Sequence, residues 1–108
     1  MDYRTLGRSG CAVSTLALGT MTFGVETAEP DAHEQLDVFL EAGGTLVDTA
    51  DVYGGGESER IVGGWLADRP ADLTDRVVLA TKGRFPTAGG PNGAGLSARH
   101  LTRALDAS

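Results

Sequence analysis

At 108 residues the chain has room for one domain with a small core, and its 41% hydrophobic and 22% charged residues are ordinary globular composition. A formal net charge of -6 with no basic cluster argues against nucleic acid and anionic membrane as partners, because both require a cationic footprint. A single cysteine, Cys11, excludes an internal disulfide and a thiolate metal cluster and points to a reducing compartment.

The first thirty residues lack a basic start followed by an apolar run, and no stretch approaches the roughly 18 apolar residues of a membrane span. The expectation is a soluble, cytoplasmic protein. Glycine is the outlier, 16 residues, where about 7% of a chain is usual. Many of these glycines separate apolar runs, which indicates tight connections rather than disorder.

Residues 3–14 read as a hairpin, with strands Tyr3 to Leu6 and Cys11 to Ser14 around a turn at Gly7 to Gly10. The run "STLALG" reads as a buried strand ending at Gly19, and "TMTFGVETAE" as loop. A helix is predicted from Pro30, since proline suits the first helical position and Asp31 and Glu34 complement the positive helix start. Its apolar face is Ala32, Leu36, Phe39 and Leu40, and Gly43 and Gly44 end it.

A short strand, Thr45 to Asp48, comes next, then the glycine stretch and a helix from Glu57 to Asp68 with Ile61, Val62, Trp65 and Leu66 on one side. Pro70 closes that region. "RVVLATK", Arg76 to Lys82, has the β-branched richness of a fully buried strand. "GRFPTAGGPNGAG" is loop, and the last helix opens at Ser97 as N-cap, with Leu96 and Leu101 at the spacing of a hydrophobic staple. Its apolar face, formed by Ala98, Leu101, Ala104 and Leu105, is left unmatched.

Strand and helix thus alternate after the hairpin, which implies parallel strands joined by right-handed crossovers. The helix-to-strand connections are short; the strand-to-helix connections, 19–29, 49–56 and 83–96, are long and polar. In a parallel sheet those three loops share the carboxyl rim, where α/β folds place their sites.

Asp48 and Lys82 each fall at the last position of a predicted strand, and Tyr53 lies five residues beyond Asp48. All three are expected on that rim. A tyrosine, with a pKa near about 10, is too weak an acid to help at neutral pH, but a lysine ammonium beside the oxygen favours the phenolate. An aspartate keeps such a lysine charged and in place. The trio suits protonation of an oxygen that becomes negative, as when a carbonyl receives a hydride. Taken singly, each residue has a plainer reading: Tyr53 as a loop anchor, Lys82 as a solvated strand end, Asp48 as a turn cap.

"DTADVYGGGESERIVG" (48–63), "LGTMTFG" (18–24) and "VLATKG" (78–83) together resemble the aldo-keto reductases, three blocks in that family's order covering nearly the whole chain. The flavour is the bacterial branch, which also resembles the potassium-channel β-subunit relatives. The resemblance implies residues 1–108 are a partial (β/α)8 TIM barrel: a bottom hairpin over 1–14 and three βα units over 15–108. It implies NADP(H)-dependent reduction of aldehydes or ketones to alcohols, with a small carbonyl compound as partner.

By the same resemblance Tyr53 is the general acid, Lys82 lowers its pKa and Asp48 holds Lys82. Gly19, Thr20, Met21 and Asp48 line the nicotinamide end of the cofactor, and Phe23 with Tyr53 borders the substrate. The family's catalytic histidine belongs to a strand beyond the last helix; His33 and His100 do not correspond to it and read as helix-surface residues. Asp51 is left without a chemical role. Three of eight units describe a truncated reductase with little turnover of its own and an open edge prone to self-association.

The rival reading is a small α/β binding or interaction module without catalysis. Other motifs are weak. "GAGLSA" (93–98) fits a dinucleotide fingerprint only as a pattern, since no strand precedes it, and no group of residues has metal-ligand spacing.

Overall fold

The computed structural model describes residues 1–108. The first strands, β1 (Tyr3–Thr5) and β2 (Ala12–Ser14), form the expected antiparallel hairpin. Ser14 fastens it to the main sheet. Its hydroxyl accepts from the backbone N–H groups of Thr45 (3.0 Å) and Leu46 (3.2 Å), while its own N–H donates to Thr45 Oγ1 at 2.9 Å. These bonds lie where the second sheet strand begins, so the hairpin sits at the amino end of the sheet, away from the rim that carries Asp48.

Three parallel strands come next, β3 (Ala17–Gly19), β4 (Leu46–Asp48) and β5 (Val78–Ala80), in the order β3-β4-β5. Gly19, Asp48 and Ala80 are paired in register, so all three strands end at one level. This is an open α/β sheet with β3 and β5 at its edges.

Helices α1 (Glu29–Glu41) and α2 (Glu57–Asp68) match the apolar periodicity closely. Ala32, Leu36 and Leu40 of α1 meet Ile61, Val62 and Trp65 of α2 over Val47, and Phe39 and Leu66 are only partly covered. Each fully buried side chain of this kind contributes roughly 1.5–3 kcal/mol, so the core resides here. A polar clamp closes its outer side: Trp65 Nε1 donates to Asp37 Oδ1 at 2.8 Å, and Arg69 grips the same carboxylate with bonds of 2.9 and 2.7 Å. The Arg69 guanidinium holds the Asp37 carboxyl below the usual carboxylate range, against burial, with Trp65 adding to the effect.

Three expectations are corrected. A one-turn helix, α3 (Ala71–Thr74), begins directly after Pro70, where the sequence signals only a break in the chain. The strand predicted over Arg76 to Lys82 shrinks to Val78–Ala80, and Leu79 is exposed. β-Branched richness marks a strand covered on both faces, but β5 is an edge with incomplete cover. Finally, α4 (Ala98–Ala107) is capped by Ser97, whose hydroxyl accepts from the His100 N–H at 3.1 Å, yet Leu96 and Leu101, the expected staple, both remain exposed; Leu105 is exposed as well, in keeping with an unmatched face. The cap is present; the staple buries little.

Candidate active site

Because the strands end in register, the segments that leave them emerge on one rim. Lys82 is not the last strand residue but stands two beyond β5. Backbone bonds continue past the strand, from Thr49 N–H to the Ala80 carbonyl (2.8 Å) and from Asp51 N–H to the Lys82 carbonyl (3.2 Å), and keep residue 82 beside the 49–51 segment.

The Lys82 ammonium has three acceptors: Asp48 Oδ2 at 2.8 Å, the Thr49 carbonyl at 2.9 Å and Tyr53 Oη at 3.3 Å. An ammonium has three protons, so this set uses all of them. Nζ also lies 5.0 Å from the centre of the Tyr53 ring. Partial burial works against the lysine charge, but the bonds to Asp48 and Tyr53 outweigh it and hold Lys82 above the usual lysine range. Lys82 is therefore a fixed cation at neutral pH. Its side chain and that of Asp48 are 44% and 40% exposed, so the cluster is open to a ligand.

The glycines explain how Tyr53 turns back to the lysine. Residues Tyr53–Gly56 form a tight turn in which Gly54, Gly55 and Gly56 have φ of 59°, 66° and 100°. Three consecutive left-handed residues are tolerable only as glycine. The turn returns the chain to the rim and starts α2 at Glu57.

Beneath the cluster lies a knot of hydroxyls that sequence reasoning missed. Ser58, Thr20 and Thr49 are all within 1% of complete burial. Ser58 Oγ lies 2.7 Å from Thr20 Oγ1, 2.9 Å from the Thr20 carbonyl and 3.1 Å from Thr49 Oγ1; Thr20 Oγ1 donates to the Asp48 carbonyl at 3.1 Å. A serine in the first turn of a helix reads as solvated. Only the approach of α2 to the ends of β3 and β4 makes it internal.

The other expected residues divide. Gly19 faces open space and Met21 is 65% exposed, so this part of the rim is free to receive a flat group. Thr20 has no exposed surface and its hydroxyl is engaged internally, so as folded its side chain offers nothing to a cofactor. Phe23 is likewise corrected: it is wholly buried against α1 and α2, because the 20–27 loop folds inward and closes the core. It borders no substrate pocket in this conformation.

Both histidines depart from the surface reading. His33 packs with Nε2 3.1 Å from the Ile61 carbonyl. His100 is only 4% exposed, and its Nε2 has no protein partner. The same is true of both Asp51 carboxylate oxygens, and Asp51 and His100 line one cavity of about 660 Å³ between the 51–59 segment, the 87–93 loop and α4.

Comparison with known proteins agrees with the geometry. The sequence profile of the Aldo/keto reductase family matches residues 15–108. The chain is 42% identical to an uncharacterised oxidoreductase of Bacillus subtilis, covering 100% of this chain and 35% of that protein. It is 38% identical to a probable voltage-gated potassium channel subunit beta of Oryza sativa (100% and 33%) and 43% identical to norsolorinic acid reductase of Aspergillus flavus (74% and 22%). The chain thus spans about a third or less of the length of the curated relatives it matches.

Proposed function

The chain belongs to the aldo/keto reductase family, and from that premise we propose that it forms the leading part of a (β/α)8 barrel that reduces aldehydes or ketones with NADP(H). The observation that carries this reading is the Lys82 ammonium held between Asp48 at 2.8 Å and Tyr53 at 3.3 Å on an open rim.

The rim suits the cofactor where it is bare. Gly19 faces open space, Met21 is exposed, and Asp48 is the strand partner of Gly19 at the end of β4. These three residues would hold the nicotinamide end. The chemistry that group supplies when bound is a hydride for the carbonyl carbon. Tyr53 Oη gives its proton to the carbonyl oxygen as that oxygen becomes an alkoxide, and the phenolate left behind faces the Lys82 ammonium. Asp48 and the Thr49 carbonyl keep the ammonium in place through the transfer.

The test is loss of NADPH absorbance with 4-nitrobenzaldehyde, run on the product of the natural gene with every residue the gene adds to these 108. Tyr53→Phe is expected to lower turnover by about 10²-fold or more, the span of a positioned general acid. Undiminished turnover in Tyr53→Phe removes the tyrosine from the reaction. A folded product that binds no NADPH removes the cofactor.

A further inference from the structure

We propose that Ser58 is a positioning residue for the Lys82 ammonium, one buried hydroxyl that braces Asp48, the last residue of β4, and Thr49, the residue after it, to both of which the lysine is bonded. The proposal rests on the reductase reading only for its purpose; its geometry stands independently.

One assignment of donors satisfies every contact in the knot at once. A carbonyl can only accept, so the Thr20 hydroxyl donates its single proton to the Asp48 carbonyl at 3.1 Å. The Ser58 hydroxyl then donates to Thr20, through Oγ1 at 2.7 Å or the carbonyl at 2.9 Å. In this assignment the Ser58 proton is spent, and Ser58 accepts from the Thr49 hydroxyl at 3.1 Å. The Thr20 N–H donates to the Asp48 carbonyl as well, at 3.0 Å.

One chain of bonds therefore runs from Thr49 through Ser58 and Thr20 to Asp48. Its two ends are the residues that give the lysine two of its three acceptors, the Asp48 carboxylate and the Thr49 carbonyl. Ser58 also lies just past the glycine turn that carries Tyr53, the third acceptor. With no exposed surface at Ser58 or Thr20, water cannot replace a lost bond without opening the core. Removal of the Ser58 hydroxyl strands the Thr49 donor and loosens residues 48 and 49 together.

Lys82 is the only lysine in the chain, so its ammonium has its own signal in a nitrogen-15 spectrum. The experiment follows the Lys82 Nζ resonance and the exchange of its protons with water in the 108-residue chain. In Ser58→Ala the exchange is expected to quicken about tenfold or more, the scale of one charge-assisted bond, and the resonance to move. Thr49→Val, nearly the same volume, keeps the core filled, removes the donor end of the chain of bonds and is expected to move the signal the same way.

Thr22→Val is the control. It removes a hydroxyl from the Thr22–Thr27 pair (3.0 Å), which shares no hydrogen bond with Lys82 or its supports, and is expected to lower stability while leaving the Lys82 signal in place. If Ser58→Ala does not fold, Thr49→Val alone carries the test. The proposal is overturned if the folded variants leave exchange and resonance unchanged, or if Thr22→Val moves them equally. The readout needs neither cofactor nor turnover, so failure of the reductase reading would leave it intact, and the reverse.

Discussion

Helices α2 and α4 both start just after a strand-to-helix loop on the same rim, yet they are seated in opposite ways. Helix α2 buries Ile61, Val62 and Trp65 and rests its first turn on Ser58, where every hydroxyl is matched. Helix α4 buries only Ala104 and His100, and the Asp51 carboxylate and His100 Nε2 have no protein partner. Asp48 and Tyr53 thus come from the firm side of the molecule, and Lys82 arrives from the loose side. The ion pair between them joins the two.

The largest expected effect probes the firm side. Trp65→Ala leaves a large hole against α1 and removes one of the three bonds to the Asp37 carboxylate, for a loss of about 3–5 kcal/mol. That is a large share of the roughly 5–15 kcal/mol typical of a domain. Urea unfolding monitored by far-ultraviolet circular dichroism should show a midpoint far below that of the parent. A midpoint close to that of the parent would mean the core does not lie where α1 and α2 meet.

Gly56→Ala sharpens the comparison at the junction. With φ of 100°, position 56 is costly for any side chain, and a loss of about 1–3 kcal/mol is expected. The alanine has space, its built Cβ meeting nothing nearer than the Asp51 carbonyl at 4.0 Å, so the effect would be backbone strain and not a clash. A neutral result in the same urea experiment would show that the turn is free to rearrange.

The trio is legible in the sequence and its support is not, for a reason that lies in what periodic patterns record. Alternation and loop lengths place strand ends, and strand ends place Asp48, Tyr53 and Lys82, even though the predicted last strand runs two residues past the observed one. Burial from the third dimension leaves no such mark. Thr20 is expected at the cofactor, Phe23 beside the substrate and His100 on a helix surface, and Ser58 stands out in no way, until α2, the 20–27 loop and α4 fold over them. The N-cap at Ser97 is legible because it is local; the exposure of Leu79 is not, because it depends on cover that β5 lacks.

The clamp between α1 and α2 gives a smaller, pH-dependent effect. Arg69 holds the Asp37 carboxyl below its usual range, so the folded pKa lies under the unfolded one. The resulting stability is present above the unfolded aspartate value, about 3.9, and is lost as pH falls through the lower folded value. Both partners are partly exposed, 25% for Arg69 and 34% for Asp37, so screening limits the term to about 1 kcal/mol or less. Urea midpoints at neutral and acid pH should fall less in Asp37→Asn than in the parent. An identical fall would show that the clamp adds nothing.

The smallest expected effect tests the loose side. Leu105 is 69% exposed on α4, and its neighbours in space, Leu79 and Leu66, are themselves only partly covered. Leu105→Lys should therefore change stability by less than about 0.5 kcal/mol, as surface substitutions do. Lysine is at least as good a helix former as most residues, so the backbone of α4 has no reason to object. The position is also in the last turn, where a cation meets the negative end of the helix favourably. A small gain is thus as compatible with the structure as no change. A loss approaching that of Trp65→Ala would break the comparison, because it would require α4 to bury Leu105 as α2 buries its tryptophan. A melt repeated at several protein concentrations separates the two ways this could arise: burial within the chain leaves the midpoint constant, and burial against a second copy makes it rise with concentration.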